Sequence, residues 1–277
     1  MSITCTLKLH LESDTKRTSC VVSYDPSVSF HHVLKATQST KFRNWLGRAE
    51  QEYEVQTIRL VHVEMFGSRV GFIYLHAHAV PRAGGDPAPK VVLIRGNSVG
   101  LLVTVDLTPG AGAGAVHIGQ GKGEAPAEGK EDTVFPPPTA TRFLALVSQA
   151  KLPAGEARCV ELCAGMMDET PDAQARGKMV DEMEEEMGIR LTRQVMRRLG
   201  TITTSPGLLD ERVELFHAHV TLSTEQAQRW VSRVYGEEGT SESTRVQLIP
   251  MDAPDLAERV QDGKLWAALA LQSRMAR

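Results

Sequence analysis

Apolar and polar positions alternate with a period of two from Thr4 to Leu11, and Glu54 to Phe66 and Val70 to Val80 carry β-branched and aromatic residues around a turn at Gly67-Ser68. Together with the short apolar run Ser19 to Tyr24, these stretches predict strands, because side chains on a strand point to opposite faces in turn. Ser29 to Glu52 reads as helical in parts, anchored by Phe42, Trp45 and Leu46. Lys90 to Ile94 and Gly100 to Asp106 predict a hairpin joined at Gly96-Asn97-Ser98. A short helix is expected over Ala140 to Lys151, and a short apolar strand over Cys159 to Cys163, with a turn at Ala164 and Gly165. Further strands are expected at Val195 to Thr203, Val213 to Leu222 and Val246 to Met251, and helices at Gln226 to Tyr235 and Leu256 to Met275, with Leu265, Trp266 and Leu269 facing inward. The mixture is that of an α/β protein, with a small antiparallel β-rich region over residues 1–80 and a second domain over 81–277.

One stretch carries chemistry. After Ala164-Gly165, Thr170 suits a helix N-cap, Pro171 the first helical position and Gly188 the C-terminal stop. Within that helix Met179, Met183 and Met187 repeat every four residues and are expected in the core. Glu182, Glu185 and Glu186, spaced i, i+3, i+4, share one face, with Asp181 and Glu184 adding charge to the same turns. Like charges at this spacing cost about 0.2–0.5 kcal/mol per pair. A solvated acidic face is the ordinary explanation of such a run. A hard divalent cation is the other, since Mg²⁺ or Mn²⁺ prefers carboxylate oxygens and reverses the repulsion.

Between the expected hairpin and the next helix lies Thr108 to Pro138, rich in Gly, Ala and Pro, which reads as an insertion loop. Its glycine triplets (Gly110, Gly112, Gly114; Gly119, Gly121, Gly123) do not sit between a strand and a helix, so they read as low complexity rather than a phosphate cradle. With 31 Lys and Arg against 34 Asp and Glu, the net charge of −3 gives no basic footprint for nucleic acid. No apolar run reaches the length of a membrane span, and MSITCTLKLHLES lacks an apolar signal core. Four scattered cysteines (5, 20, 159 and 163) do not make a disulfide framework, and the cytoplasm is the default setting. His76 with His78, and His217 with His219, form His-Ala-His pairs that face one way on a strand. Zinc is one reading of them; hydrogen-bonded strand histidines are the favoured one.

The run Asp181 to Ile189 resembles the second half of the Nudix box, G-x5-E-x7-R-E-U-x-E-E-x-G-U with U aliphatic. It matches at Glu182, Glu185, Glu186, Gly188 and Ile189, while Asp181 replaces the arginine and Met183 fills the first aliphatic site. In the first half Gly165 lies two residues further upstream than the pattern, and Ala173 stands where the early glutamate belongs. Since that glutamate and the arginine mainly brace loop against helix in the family, their joint replacement reads as a changed brace. Some eighteen residues past Gly188, Ser205-Pro206-Gly207 resembles the downstream signature of the ADP-ribose and nucleoside-diphosphate-sugar pyrophosphatase branch. The entry Glu161-Leu162-Cys163-Ala164-Gly165 is similar to that of UDP-sugar pyrophosphatases.

The resemblance implies a Nudix α/β/α sandwich with a mixed sheet. It implies Mg²⁺ or Mn²⁺ held by Glu182, Glu185, Glu186 and the Ala164 carbonyl, and hydrolysis of a UDP-glucose-like nucleotide sugar to a nucleoside monophosphate and a sugar 1-phosphate. Glu242, with Glu238 second, is the expected residue to orient or deprotonate the attacking water, beside the catalytic carboxylates Glu182 and Glu185. Glu161, Pro206, Gly207, Arg212 and Arg95 are the expected substrate contacts. The two arginines are included because Val105-Asp106-Leu107-Thr108 stands where the branch often carries an arginine. A homodimer through the N-terminal sheet is implied as well. The alternatives are an ADP-ribose or dinucleoside polyphosphate hydrolase, and a Nudix fold kept as a binding module.

Overall fold

The computed structural model describes residues 5–13, 16–87, 90–108, 117–124, 142–167, 174–236 and 243–275. The chain divides into two compact units. The first holds Met1–Ser98 with the short returns Met166–Glu169 and Thr203–Arg212; the second holds Val99–Gly165, Thr170–Ile202 and Val213–Arg277.

The first unit is a five-stranded sheet in the order β1-β2-β3-β4-β5, made of β1 (Cys5–Ser13), β2 (Lys16–Tyr24), β3 (Tyr53–Phe66), β4 (Arg69–Pro81) and β5 (Val91–Ile94). Every neighbouring pair is antiparallel except β2 with β3, which are parallel. That exception has a cause in the sequence. The helices α1 (Phe30–Gln38) and α2 (Thr40–Glu52) lie between these strands, and parallel strands need such a crossover. The helices meet at Ser39, whose hydroxyl accepts from the Phe42 amide to cap α2 and donates to the Ala36 carbonyl of α1 at 2.7 Å. Val33, Phe42 and Leu46 of the helices pack on Val22, Ile58, Leu60, Ile73 and Leu75 of the strands.

The second unit is built on a nine-stranded sheet. Its strands are β6 (Ser98–Thr108), β8 (Gly123–Glu124), β9 (Arg142–Lys151), β10 (Glu156–Glu161), β11 (Cys163–Met166), β13 (Arg197–Thr203), β14 (Arg212–Ser223), β15 (Arg233–Tyr235) and β16 (Thr244–Pro250). The order is β13-β14-β6-β9-β16-β15-β8, with β10 beside β9 and β11 beside β6. A separate two-stranded ribbon joins β7 (His117–Ile118) to β12 (Ile189–Arg190). The helices are α3 (Ala175–Met187), α4 (Thr224–Val231), α5 (Leu256–Arg259) and α6 (Gly263–Met275). Leu102, Leu144, Leu146, Leu162, Val213, Leu215, Ile249 and Leu265 form a shared core.

Several local expectations fail for identifiable reasons. Residues 142–151 form the strand β9, not a helix: Phe143 to Ser148 are buried on both faces, and a short run apolar all round carries no period. β5 and β6 are not a hairpin, since β5 pairs with β4 and β6 pairs with β9. Gly96 at φ 91° gives the break between them. Ala164 and Gly165 lie within β11 rather than in a turn. Of the helix expected over Gln226 to Tyr235 only Gln226 to Val231 is helical, as part of α4, and the remainder enters β15. The closing helix is broken between Arg259 and Gly263, and Trp266 is exposed rather than inward, its indole N–H donating to the Val260 carbonyl at 3.0 Å.

Candidate metal site and the Ser-Pro-Gly loop

The helix α3 is fixed from its apolar face and its C-terminus. Met179, Met183 and Met187 are fully buried, as their four-residue spacing predicts, each stabilising by about 1.5–3 kcal/mol. Gly188 ends the helix at φ 63°, its amide donating to the Glu184 carbonyl. A Cβ there would stand 2.0 Å from the Tyr235 ring, so only glycine fits. The last carbonyls find partners elsewhere in the unit: Glu185 O accepts from the Gly236 amide at 2.8 Å, and Met187 O from the Trp230 indole at 2.5 Å. The expected start at Thr170, Pro171 and Ala173 lies outside the described residues.

The acidic face of this helix is not simply solvated. Glu182 is buried, 8% exposed, and its carboxylate lies against β11 so closely that a Cβ on Gly165 would fall 1.9 Å from Glu182 Cδ. The box glycine is therefore needed for close approach of the carboxylate, not for a turn. Lys178, one helical turn before, places its ammonium 2.6 Å from Glu182 Oε1. Burial opposes the charge on Lys178, but the contact with Glu182 and the nearby Glu185 and Asp181 outweigh it and raise its pKa. Glu185 is exposed. Glu186 points inward: its Oε1 lies 3.5 Å from Gln149 Nε2, and its Oε2 is buried with no hydrogen-bond partner. Burial, reinforced by the charge on Glu182, pushes the Glu186 carboxyl up to about 7, against the lowering effects of the Cys163 thiol and Lys151.

Glu161 is held rather than outward-facing. Lys151 and Lys264 each lie 3.0 Å from its carboxylate, and Gln149 donates to it at 3.2 Å. Burial raises its pKa and the two lysines lower it, with a net lowering. Asp262 continues the network, pairing with Lys264 at 3.0 Å and accepting from the Leu162 amide at 2.9 Å. Gln149 thus bridges Glu161 and Glu186 in one polar cluster between β9, β10 and α3.

A buried carboxylate oxygen without a partner is costly, and a hard cation is the group that oxygen donors of this kind suit. Glu182, Glu185, Glu186 and the half-buried Ala164 on β11 supply only oxygen, so the donor set fits Mg²⁺ or Mn²⁺. Among the described residues no three His, Cys, Asp or Glu side chains already converge as a metal cage. Lys178 takes up one oxygen of the set instead.

The second group of expected residues lies in the first unit. The Ser205-Pro206-Gly207 turn is followed by a parallel bridge from Leu209 to Leu93, with the Leu93 amide donating to Leu208 O at 2.9 Å. Asp210 fastens this loop: Oδ1 accepts from the Arg95 and Gly96 amides at 2.8 and 3.0 Å, and Oδ2 from Arg48 at 3.2 Å. Buried Glu211 accepts from Ser98 and Thr204, both at 2.8 Å, and pairs with Arg95 at 3.0 Å. Arg95 is therefore partly engaged, and Arg212 is exposed. Pro206 and Gly207 are exposed on the same turn. Glu238 and Glu242 lie outside the described residues.

Three of the four paired histidines are hydrogen-bonded. His76 meets the Tyr74 hydroxyl at 3.2 Å, while His217 and His219 share the Thr104 hydroxyl at 2.9 and 3.0 Å. Desolvation, followed by the charges of His219, Arg197 and Arg142, pulls His217 down to about 4.

Sequence reasoning missed Lys178, Gln149, Lys151, Lys264, Asp210 and Glu211. Lys178 was legible, because it stands four residues before Glu182. The others reach their partners over long sequence separations that no local pattern encodes.

The comparison with known proteins agrees with the helix. The chain is 25% identical over 268 residues to Nudix hydrolase 14, chloroplastic, of Arabidopsis thaliana, covering 91% of this chain and 75% of that protein. Over nearly its whole length the chain is thus similar to a Nudix hydrolase. The stretch that resembles the Nudix box lies on α3, where Lys178 pairs with Glu182. No family model matches the chain. The crystal structure of an ADP compounds hydrolase aligns with a TM-score of 0.47 at 12% identity, covering 81% of this chain and 94% of that one. No helix among the described residues is long and apolar enough to cross a membrane.

Proposed function

We propose that this protein hydrolyses the diphosphate bond of a nucleoside diphosphate sugar, releasing a nucleoside monophosphate and a sugar 1-phosphate. The observation that carries the proposal is the carboxylate face of α3: Glu182 pressed against Gly165, and Glu186 with one buried oxygen lacking a partner. Glu182, Glu185 and Glu186, with the Ala164 carbonyl, would hold Mg²⁺ or Mn²⁺. Such an ion neutralises the diphosphate oxygens and lowers the pKa of a water it binds. The protein's own residues do the rest. Lys151 and Lys264 hold Glu161 ionised beside Gln149, which keeps Glu186 oriented from the same side. Glu161 is a contact for the sugar or its phosphate in this reading, and Glu242 the residue that orients the attacking water. Pro206, Gly207, Arg212 and the free donors of Arg95 are the proposed contacts on the Ser-Pro-Gly loop.

Support for the nucleotide-sugar class comes from Glu161-Leu162-Cys163-Ala164-Gly165 and Ser205-Pro206-Gly207 in register with the box. A homodimer through the N-terminal sheet and a cytoplasmic setting belong to the same reading, although the plant relative's name carries the word chloroplastic. The test is product release from UDP-glucose, ADP-ribose and diadenosine polyphosphates with Mg²⁺, using wild type and Glu185→Gln. Preferred turnover of UDP-glucose that drops by orders of magnitude in the variant is expected. Preferred turnover of ADP-ribose or a dinucleoside polyphosphate would move the substrate class and keep the chemistry. Tight binding with no turnover would make the chain a binding module.

A further inference from the structure

On an isolated, solvated helix an i, i+4 Lys–Glu pair is a minor contact. Lys178–Glu182 is not in that situation. The Glu182 side chain is 11% exposed, and its carboxylate is confined by Gly165 on one side. It has one strong cationic partner at 2.6 Å, and that partner's own side chain is 26% exposed, on a flexible four-carbon stem. The carboxylate is therefore fixed, while the ammonium has a way out to water. Two further carboxylates, Glu185 and Asp181, attract the same ammonium from exposed positions and would receive it after it leaves Glu182. One turn along, Glu186 Oε2 is buried and has no hydrogen-bond partner, and the charges of Glu182 and Glu161 act on the same carboxyl. The set thus contains one oxygen already neutralised by the chain and one that is not.

We infer that Lys178 is a built-in counter-ion that competes with the divalent cation for Glu182, so that cation binding and the Lys178–Glu182 ion pair exclude one another. The inference rests on the metal-site reading of α3 given above. Electrostatics sets the direction. A fixed positive charge beside Glu182 lowers the affinity of the site for a second positive charge, and its removal raises that affinity. Without a cation, the ion pair keeps a buried carboxylate from standing unpaired, which is destabilising. Lys178 is thus a positioning residue: it holds Glu182 in place before the cation arrives and yields it afterwards. It also raises the cation concentration at which the site fills, without changing the shape of the binding curve.

The test is Mn²⁺ binding, followed as loss of the free-ion signal in electron paramagnetic resonance, with thermal unfolding measured in parallel with and without Mn²⁺. Wild type is compared with Lys178→Met, Lys178→Gln and Lys178→Arg. The expected result is a Mn²⁺ midpoint at least tenfold lower in Lys178→Met and Lys178→Gln, a lower Tm without metal, and a larger rise in Tm on adding it. Lys178→Arg should keep a midpoint near that of wild type. Lys178→Gln, which retains a donor for Glu182, serves where Lys178→Met does not fold. A lysine that is merely structural would lower the metal-free Tm and leave the midpoint in place. Binding by wild type with equal or weaker binding by both neutral variants would overturn the inference and leave the metal site standing. Absence of Mn²⁺ binding in wild type and variants alike would overturn both.

Discussion

Two groups of buried carboxylates in this protein are built on opposite plans. In the Ser-Pro-Gly loop, Asp210 and Glu211 have all four oxygens occupied by donors of the chain: the Arg95 and Gly96 amides, Arg48, Ser98, Arg95 and Thr204. On α3, Glu182 is paired with Lys178, and Glu186 leaves an oxygen without a hydrogen-bond partner. A satisfied set stabilises a loop. An unsatisfied set destabilises the metal-free fold and is useful only if something else completes it. The difference separates acidic residues that the chain itself satisfies from acidic residues that it leaves short of partners, although both groups are buried.

The largest effects should appear in activity at the helix. Glu185 is exposed, so Glu185→Gln should cut turnover by orders of magnitude while leaving Tm nearly unchanged; steady-state kinetics and calorimetry check both halves. The loop should behave in the opposite way. Asp210→Ala leaves the Arg95 and Gly96 amides without their acceptor and removes the carboxylate that pairs with Arg48, and should cost about 3–4 kcal/mol in urea unfolding.

Glu186 sharpens the contrast through pH. Its folded pKa of about 7 lies above the ordinary 4.5, so the unfolded chain releases the proton first. The stability due to this group is full below about pH 4.5 and is lost as pH rises through about 7, a fall of about 3 kcal/mol. Urea unfolding in a chelator, at pH 5 and pH 8, should show this loss in wild type and not in Glu186→Gln. Ser39→Ala gives the smallest change and calibrates an ordinary structural hydroxyl. Loss of its cap on α2 and of its bond to Ala36 should cost about 1 kcal/mol.

The legibility of the chain follows the range of the interactions concerned. Helix α3, its methionine face and its glycine stop were readable because each depends on residues within one or two turns. The strands β3 and β4 were readable from their β-branched and aromatic residues on either side of the Gly67-Ser68 turn, which are local signals. The strand β9 was misread because it is buried on both faces and shows no period. The partners of β5 and β6 were misassigned because pairing across the chain leaves no local mark. In the candidate site the carboxylates were legible by spacing, but the lysines that hold Glu161 come from residues 151 and 264 and were not. Gly165 was identified by its place in a motif, whereas its physical role, making room for Glu182, needed the packing.

The most direct measurement is calorimetric titration of wild type and Glu186→Gln with Mg²⁺ and Mn²⁺. If the unpartnered oxygen of Glu186 belongs to a cation site, wild type binds and the variant binds at least tenfold more weakly, with fewer protons released at pH 7. Equal binding in the two proteins, or none in wild type, would contradict the assignment of this helix as the metal site.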